Sequence, residues 1–357
     1  MKRFMLIALL LFAGAAVAKA QWDYVDASTL TLVGKLFPDT PNPWHRVNTD
    51  LYGGFDQTEF KQVHMSAGIA VAFRTDSPCL SVRTAGSTVH NAGSSNYIAG
   101  RGFDLYIKKG GKWLWAGQTG LEDDKNKALI YFNDAGMCDC LLYLPLFAEL
   151  DRLEIGVKSG STIKKAEAPF KYRIAVFGSS FTHGFGCSRP GMCWPSQFSR
   201  MTGLQLLNLG CSGHSLLQPY FAEALAAAPD VDAYIFDAFS NPSAELIQER
   251  LFPFIETIQA VKPDVPIIFV KTLYREWRNF NADVDRKETD KMEMAELMMK
   301  KACKKYKNVY YVNSTNAADA LHETTVDGTH PGNWGYRLYV ESIMDDVLKI
   351  LAQYGIK

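Results

Sequence analysis

From Arg173 onward the chain alternates short, largely apolar runs with longer amphipathic stretches, and that rhythm leaves few folds open. The apolar runs fall at 173–177, 206–209, 233–238, 267–270 and 309–312. A strand that is apolar at successive positions has to be buried on both faces, as in a parallel sheet. Between the runs lie stretches of helical period at 216–228, 244–261, 288–306 and 334–353. The expectation is an α/β domain, a parallel sheet with helices packed on both sides. Ligands of such sheets bind outside the carboxyl ends of the strands. The residues just after each run are therefore where chemistry is to be sought.

The first half has a different rhythm. Short segments at 68–75, 80–84, 103–107, 128–132 and 140–144 are separated by clusters of Gly, Asn, Asp and Pro. Short strands at such spacing suggest a β-sandwich or barrel, and no long helical period interrupts them. The stretch 159–170 is polar, rich in lysine and carries a proline near its end, which reads as a linker. The expected organisation is a leader at 1–20, a β domain at 21–160, a linker at 161–170 and an α/β domain at 171–357. A chain of 357 residues has room for two domains of ordinary size.

Lys2 and Arg3 precede an apolar run over 5–17, and both Ala16-Val17-Ala18 and Ala18-Lys19-Ala20 offer small-x-small cleavage sites. This is the layout of a secretory signal peptide, and the run is shorter than the roughly 20 residues a membrane span takes. An exported protein, periplasmic or secreted and without stable membrane insertion, is expected. Lys+Arg and Asp+Glu balance at 38 each, so no basic field exists to attract nucleic acid. Seven cysteines are too sparse for a disulfide scaffold, and none shows C-x-x-C spacing. Cys187 and Cys193 flank a Pro-Gly turn; their spacing is compatible with a bridge and equally with two free thiols.

Four strand-end segments carry polar chemistry. After the first run comes Gly178-Ser179-Ser180-Phe181-Thr182-His183-Gly184, where a serine on a tight turn presents hydroxyl and backbone N–H together. After the second comes Gly210-Cys211-Ser212-Gly213, a glycine that lets backbone approach a ligand. After the third comes Phe239-Ser240-Asn241-Pro242, with a carboxamide donor. Before the last helix, Asp327 stands three residues ahead of His330, close enough to orient an imidazole. Together these supply a nucleophile (Ser180), a base (His330) with its orienter (Asp327), and three oxyanion donors (Ser180, Gly213 and Asn241). That set is what acyl transfer requires, and it calls for no cofactor and no metal.

On these residues the run from Arg173 to about Tyr336 resembles the SGNH (GDSL-type) hydrolase superfamily. The first block of that superfamily reads Gly-Asp-Ser-x-x-x-Gly; Gly178, Ser180 and Gly184 match it, while Ser179 replaces the aspartate. Gly213 fits the second block, Asn241 the third, and Asp327 with His330 the fifth. The third block departs as well, with Phe239 where a glycine is usual and Pro242 where an aspartate is usual. The resemblance implies a three-layer α/β/α hydrolase domain. Gly102-Phe103-Asp104-Leu105-Tyr106 and Ser188-Arg189-Pro190-Gly191 resemble an exported bacterial branch, which implies a jelly-roll-like β-sandwich accessory domain.

Other readings find less support. No G-x-S-x-G elbow occurs, the dinucleotide fingerprint begun at Gly184-Phe185-Gly186 fails at Arg189, and His322-Glu323 lacks a second histidine at Val326. His183 and His214 are read as site-lining or surface residues, Ser179 as a rival nucleophile, and Ser212 and Ser240 as turn residues. Tyr274, Trp277 and Trp334 follow strands at the same edge; they suit stacking on a sugar or acyl chain, and suit ordinary packing equally. The expected activity is hydrolysis of small acyl esters, acetyl foremost, on a small molecule or polysaccharide. A lysophospholipase or lipid acylhydrolase is the second reading, and a glycan-binding protein on a degenerate hydrolase fold the third.

Overall fold

A computed structural model describes residues 22–90, 93, 95–119, 128–131, 136–314 and 318–357. The leader expected at 1–20 lies outside the described residues. None of the helices described is long and apolar enough to cross a membrane.

The second half forms a five-stranded parallel sheet in the order 2-1-3-4-5, from strands Lys171–Gly178, Leu204–Gly210, Ala233–Asp237, Ile267–Val270 and Val309–Val312. Each coincides with one of the apolar runs. Alternate residues go to opposite faces, and both are buried. Ala175 and Phe177 pack with the helices Pro219–Ala227, Ala244–Val261 and Ala282–Lys305, while Ile174 and Val176 pack with Trp194–Thr202 and Asn333–Ala352. This is the three-layer arrangement expected. The long helix begins at Ala282, six residues ahead of the sequence reading, because its first turns are largely exposed and carry no apolar period. Asn281 caps it, accepting a hydrogen bond from Val284 N at 3.2 Å.

The first half is a β-sandwich. One antiparallel sheet joins Trp22–Asp26, Arg152–Lys158, Cys79–Ala85 and Ala128–Tyr131. The other runs Ile163–Lys165, Ala70–Thr75, Cys138–Tyr143, Phe103–Lys109 and Lys112–Thr119, with Thr31–Val33 also paired to Ala70–Thr75. Val71, Phe73, Leu105, Ile107, Leu142, Leu80, Val82, Ile155 and Val157 fill the space between them.

Two features go beyond the sequence reading. The stretch 161–170 is not a free linker: Ile163–Lys165 pairs antiparallel with Ala70–Thr75, and Phe170 is buried against Val33 and Tyr143. Its lysines belong to an edge strand, where charged side chains are common, and polarity alone made it look unstructured. The β half also holds a helix, Gln57–His64, started by a capping box in which Asp56 accepts from Thr58 N and Glu59 N while Glu59 accepts from Asp56 N.

That helix and the chain before it are built into the hydrolase half. Leu36, Phe37, Val47 and Val63 share one buried cluster with Phe177, Leu209 and Phe221. Arg46 is fully buried, and its guanidinium donates to the carbonyls of Gln62, Met65, Asn208 and Gly210 at 2.6–3.2 Å. Burial lowers its pKa to about 10, which leaves it charged near neutrality.

Candidate active site

Ser180 begins the one-turn helix Ser180–His183, directly after the first strand of the parallel sheet. Its Oγ lies 2.9 Å from His330 Nε2. On the far side of the ring, Nδ1 lies 2.8 Å from Asp327 Oδ2. Because the carboxylate can only accept there, Nδ1 carries the proton and Nε2 is free to accept from the serine hydroxyl. Burial pushes the Asp327 carboxyl up, but the backbone N–H groups of His330 and Thr329 and the imidazole outweigh it, and the pKa ends below the usual range. The short turn carrying both residues is closed by Val326 N donating to His330 O and Gly332 N to Thr324 O, each at 2.8 Å. Phe185 packs against the imidazole with ring centroids 4.4 Å apart.

Ser179, the rival nucleophile, is committed elsewhere. It is wholly buried, and its hydroxyl donates to Asp237 Oδ2 at 2.9 Å while accepting from Phe181 N. Asp237 closes the third strand, where Gly178 is its register partner on the neighbouring strand, the point at which strand order reverses. It also accepts from Thr182 Oγ1 at 3.1 Å. Burial raises its pKa to about 6, against the pull of the Ser179 and Thr182 hydroxyls. The sequence reading gave Asp237 no role; the signal was a carboxylate next to the end of a run that is otherwise apolar.

Gly213 has φ +76°, the left-handed region, and its turn is exposed on the same rim. Among the described residues, neither Gly213 N–H nor Ser180 N–H has a hydrogen-bond acceptor. Asn241 Oδ1 accepts from Ser215 N at 3.4 Å, leaving Nδ2 as a donor without a described partner. The departures around Asn241 have their own support. Phe239 is buried and stacks on Phe269 at 5.5 Å, and the Ser240 carbonyl accepts from Arg275 at 2.8 Å and Lys291 at 2.9 Å.

The other sequence candidates separate. His183 is fully buried rather than at the surface; it donates to Leu146 O at 2.8 Å and lies 3.0 Å from Ser212 Oγ, and burial keeps it neutral. His214 meets carboxylates after all, Asp56 at 3.2 Å and Glu59 at 3.8 Å, both from the accessory half. Cys187 and Cys193 are buried thiols with no disulfide between them. Trp277 and Trp334 are 62% and 56% exposed, and Trp277 packs so closely on Gly328 that a Cβ there would lie 2.1 Å from its ring. Tyr274 is half-buried and donates to Asn279 at 2.7 Å. Glu276 was not singled out; its carboxylate accepts from the N–H and hydroxyl groups of Thr324 and Thr325, pinning the chain just before Asp327.

Two groups of potential metal donors cluster among the described residues. His45 and His64, beside Glu149, stack with planes 9° apart and centroids 3.9 Å apart, so their in-plane lone pairs lie in separate planes. In the second group Asp56 accepts from Thr58 N and Glu59 from Gln218 and Tyr220, while His214 lies against both carboxylates.

Residues 171–349 match the family model described as GDSL-like lipase/acylhydrolase, and residues 22–163 match the model for the N-terminus of SGNH-hydrolase-type esterases. A solved structure from Bacteroides ovatus, described as a GDSL-like lipase, is 37% identical over 93% of this chain and 98% of its own, with TM-score 0.87. The chain belongs to the GDSL-like lipase/acylhydrolase family. This hydrolase also shares its two-part fold with a salicylyl-acyltransferase from a tetracycline biosynthetic pathway, at 23% identity, 92% and 98% coverage and TM-score 0.71. A family two carbohydrate esterase from Cellvibrio japonicus aligns over 93% of this chain and 98% of its own at 12% identity and TM-score 0.60. No curated protein matches.

Proposed function

We propose that this GDSL-family hydrolase is an exported serine esterase that removes small acyl groups, acetyl foremost, from carbohydrate. The observation that carries the reading is the continuous line from Ser180 Oγ through His330 to Asp327 at the carboxyl edge of the sheet. In the acylation step Ser180 Oγ bonds to the ester carbonyl carbon as its proton passes to His330 Nε2. Asp327 stabilises the imidazolium. The N–H groups of Ser180 and Gly213 and the Asn241 amide take the charge on the carbonyl oxygen. Collapse breaks the ester C–O bond, and His330 returns the proton to the departing alcohol. Water, deprotonated by the same imidazole, then releases the acid and restores Ser180. A carbohydrate alcohol is supported by the shared fold with the carbohydrate esterase and by Trp277 and Trp334, both exposed, with Trp277 packed beside the turn carrying Asp327.

A lipid acylhydrolase is the second reading, favoured by Phe280, Leu321 and Val326, which are exposed on the segments around that turn. Purified wild type and Ser180→Ala should be assayed on acetyl through octanoyl esters and on acetylated polysaccharides. The proposal expects activity highest on acetyl, falling steeply with length as added methylenes overfill a small pocket, and absent in Ser180→Ala. Rising activity toward octanoyl would install the lipid reading, and a fully active Ser180→Ala would remove the serine mechanism.

A further inference from the structure

We propose that the outer face of the accessory sheet is a binding groove for an acidic polysaccharide, centred on Trp113 and distinct from the acyl-transfer site. Strands alternate their side chains between faces, and the inward set of this sheet fills the sandwich core. The outward set is unusual for an exposed sheet face. Arg74, Lys108 and Lys164 stand on three of its strands around Trp113, and a cleft of about 660 Å³ opens between them. On the other side of Trp113 lies a second cleft of about 610 Å³, lined by Tyr106 and Lys112 and, from the hydrolase half, Arg189 and Arg337. Trp113 lines both, so the two form one groove that runs from the accessory sheet onto the hydrolase half.

Charge and aromatic surface coincide there. The two linings together hold eight Lys or Arg, of which Arg74, Arg189 and Arg337 are paired with Asp139, Asp104 and Glu341, in a chain whose charges balance at 38 each. Lys108, Lys112, Lys164 and Lys165 make no ion pair with another described residue, so their charge is available to a ligand. Lys108 Nζ sits 5.7 Å from the Trp113 ring centre. Two residues along the strand, Trp115 is 53% exposed, its Nε1 donating to Asp104 at 2.9 Å and the Arg189 guanidinium lying 5.1 Å from its ring. Indole rings offer flat apolar faces to sugar rings, and the flanking unpaired ammonium groups suit carboxylates or sulfates spaced along the same polymer. A duplex nucleic acid presents a denser, unbroken line of phosphates and is met by strongly basic domains; here Asp139 and Glu167 interrupt the field.

The inference deepens the carbohydrate reading but does not need turnover, so the two can fail separately. Binding of a defined oligogalacturonate to the full chain would be measured by calorimetry, on the Ser180→Ala variant as well as wild type. Saturable binding, weakened by added salt and at least about tenfold tighter than for a neutral cello-oligosaccharide, is expected. Trp113→Ala, and separately the pair Lys108→Gln and Lys164→Gln, should each weaken it by about tenfold or more while hydrolysis of a soluble acetyl ester stays at the wild-type rate. Equal affinity for the neutral oligomer would overturn the proposal. So would undiminished oligogalacturonate binding in variants that keep esterase activity, or tighter binding of duplex DNA or anionic vesicles through the same residues. Loss of binding in Ser180→Ala alone would assign the ligand to the catalytic rim instead.

Discussion

Gln62 and Ser212 belong to different halves of the chain and are joined by two hydrogen bonds: Ser212 N donates to Gln62 Oε1 at 2.5 Å, and Gln62 Nε2 donates to the Ser212 carbonyl at 2.9 Å. The amide thus grips the backbone immediately before Gly213, as a neighbouring strand would. Arg46 holds the Asn208 and Gly210 carbonyls, and Glu59 accepts from Gln218 and Tyr220 on the outgoing side. The accessory half therefore fixes the loop that carries Gly213, and with it the direction of the N–H proposed as an oxyanion donor. Gln62→Ala should lower kcat about 10- to 100-fold, the usual cost of a donor misplaced by about an ångström, with little change in KM. Gln62→Glu keeps the acceptor but cannot donate to the Ser212 carbonyl, and should fall between. Steady-state kinetics and Tm on the same preparations check this; wild-type kcat in a folded Gln62→Ala would show that the loop holds itself.

Asn241→Ala tests the side-chain donor. Removing one such donor typically costs about 100- to 1000-fold in turnover, and an interaction made only in the transition state lowers kcat while leaving KM nearly unchanged. The Ser240 carbonyl stays held by Arg275 and Lys291 in the variant, so the loop should keep its place and Tm should move little. A large fall in Tm with normal kcat per folded molecule would make Asn241 a turn residue.

Asp327→Asn probes the tautomer. An amide can turn its NH2 toward His330 Nδ1, which would put the ring proton on Nε2, facing Ser180. The base could then no longer accept, and kcat should fall by about 10,000-fold with the fold intact. A fluorophosphonate that labels Ser180 in wild type should label this variant far more slowly. Equal labelling would mean that Asp327 does not set the ring.

Most of the site's outline was legible because it rests on local spacing. Ser180 follows an apolar run, and Asp327 and His330 are three apart, so one tight turn joins them whatever the rest of the chain does. The parallel strands were equally plain, since burial on both faces keeps the runs apolar at nearly every position, Arg173, Asn208 and Asp237 being the exceptions. The missed parts are contacts between residues far apart in sequence: Gln62 and Ser212 are 150 apart, and Ser179 and Asp237 are 58 apart. Nothing near Gln62 marks it as different from any other polar residue on a short helix. The edge strand Ile163–Lys165 was hidden for a different reason: it is three residues long, and only Ile163 turns to the core while the two lysines are exposed.

Ser179 stands where the family usually has an aspartate, and its hydrogen bond to Asp237 leaves a pH signature. Asp237 is fully buried with a pKa raised to about 6, and Arg275, Tyr336 and Tyr339 are the other ionisable groups that feel it. Between pH 4 and 6 the folded chain keeps a proton on Asp237 that the unfolded chain has released. The stability this group contributes is complete below about pH 4 and is lost as pH rises through 6, by up to about 3 kcal/mol. Asp327, held low, acts in the opposite sense and only in more acid solution, where its contribution falls away as pH drops. Asp237→Asn isolates the first effect: its carboxamide oxygen can still accept from Ser179 and Thr182, and it never ionises. The stability of the variant relative to wild type should therefore climb from pH 4 to pH 7. If Ser179 also orients Ser180 through this bond, kcat at pH 7 should fall a few-fold while Ser180 remains labelled by a fluorophosphonate. Denaturant unfolding of both proteins across that range decides the matter: parallel stability curves would mean that Asp237 titrates as an ordinary carboxylate.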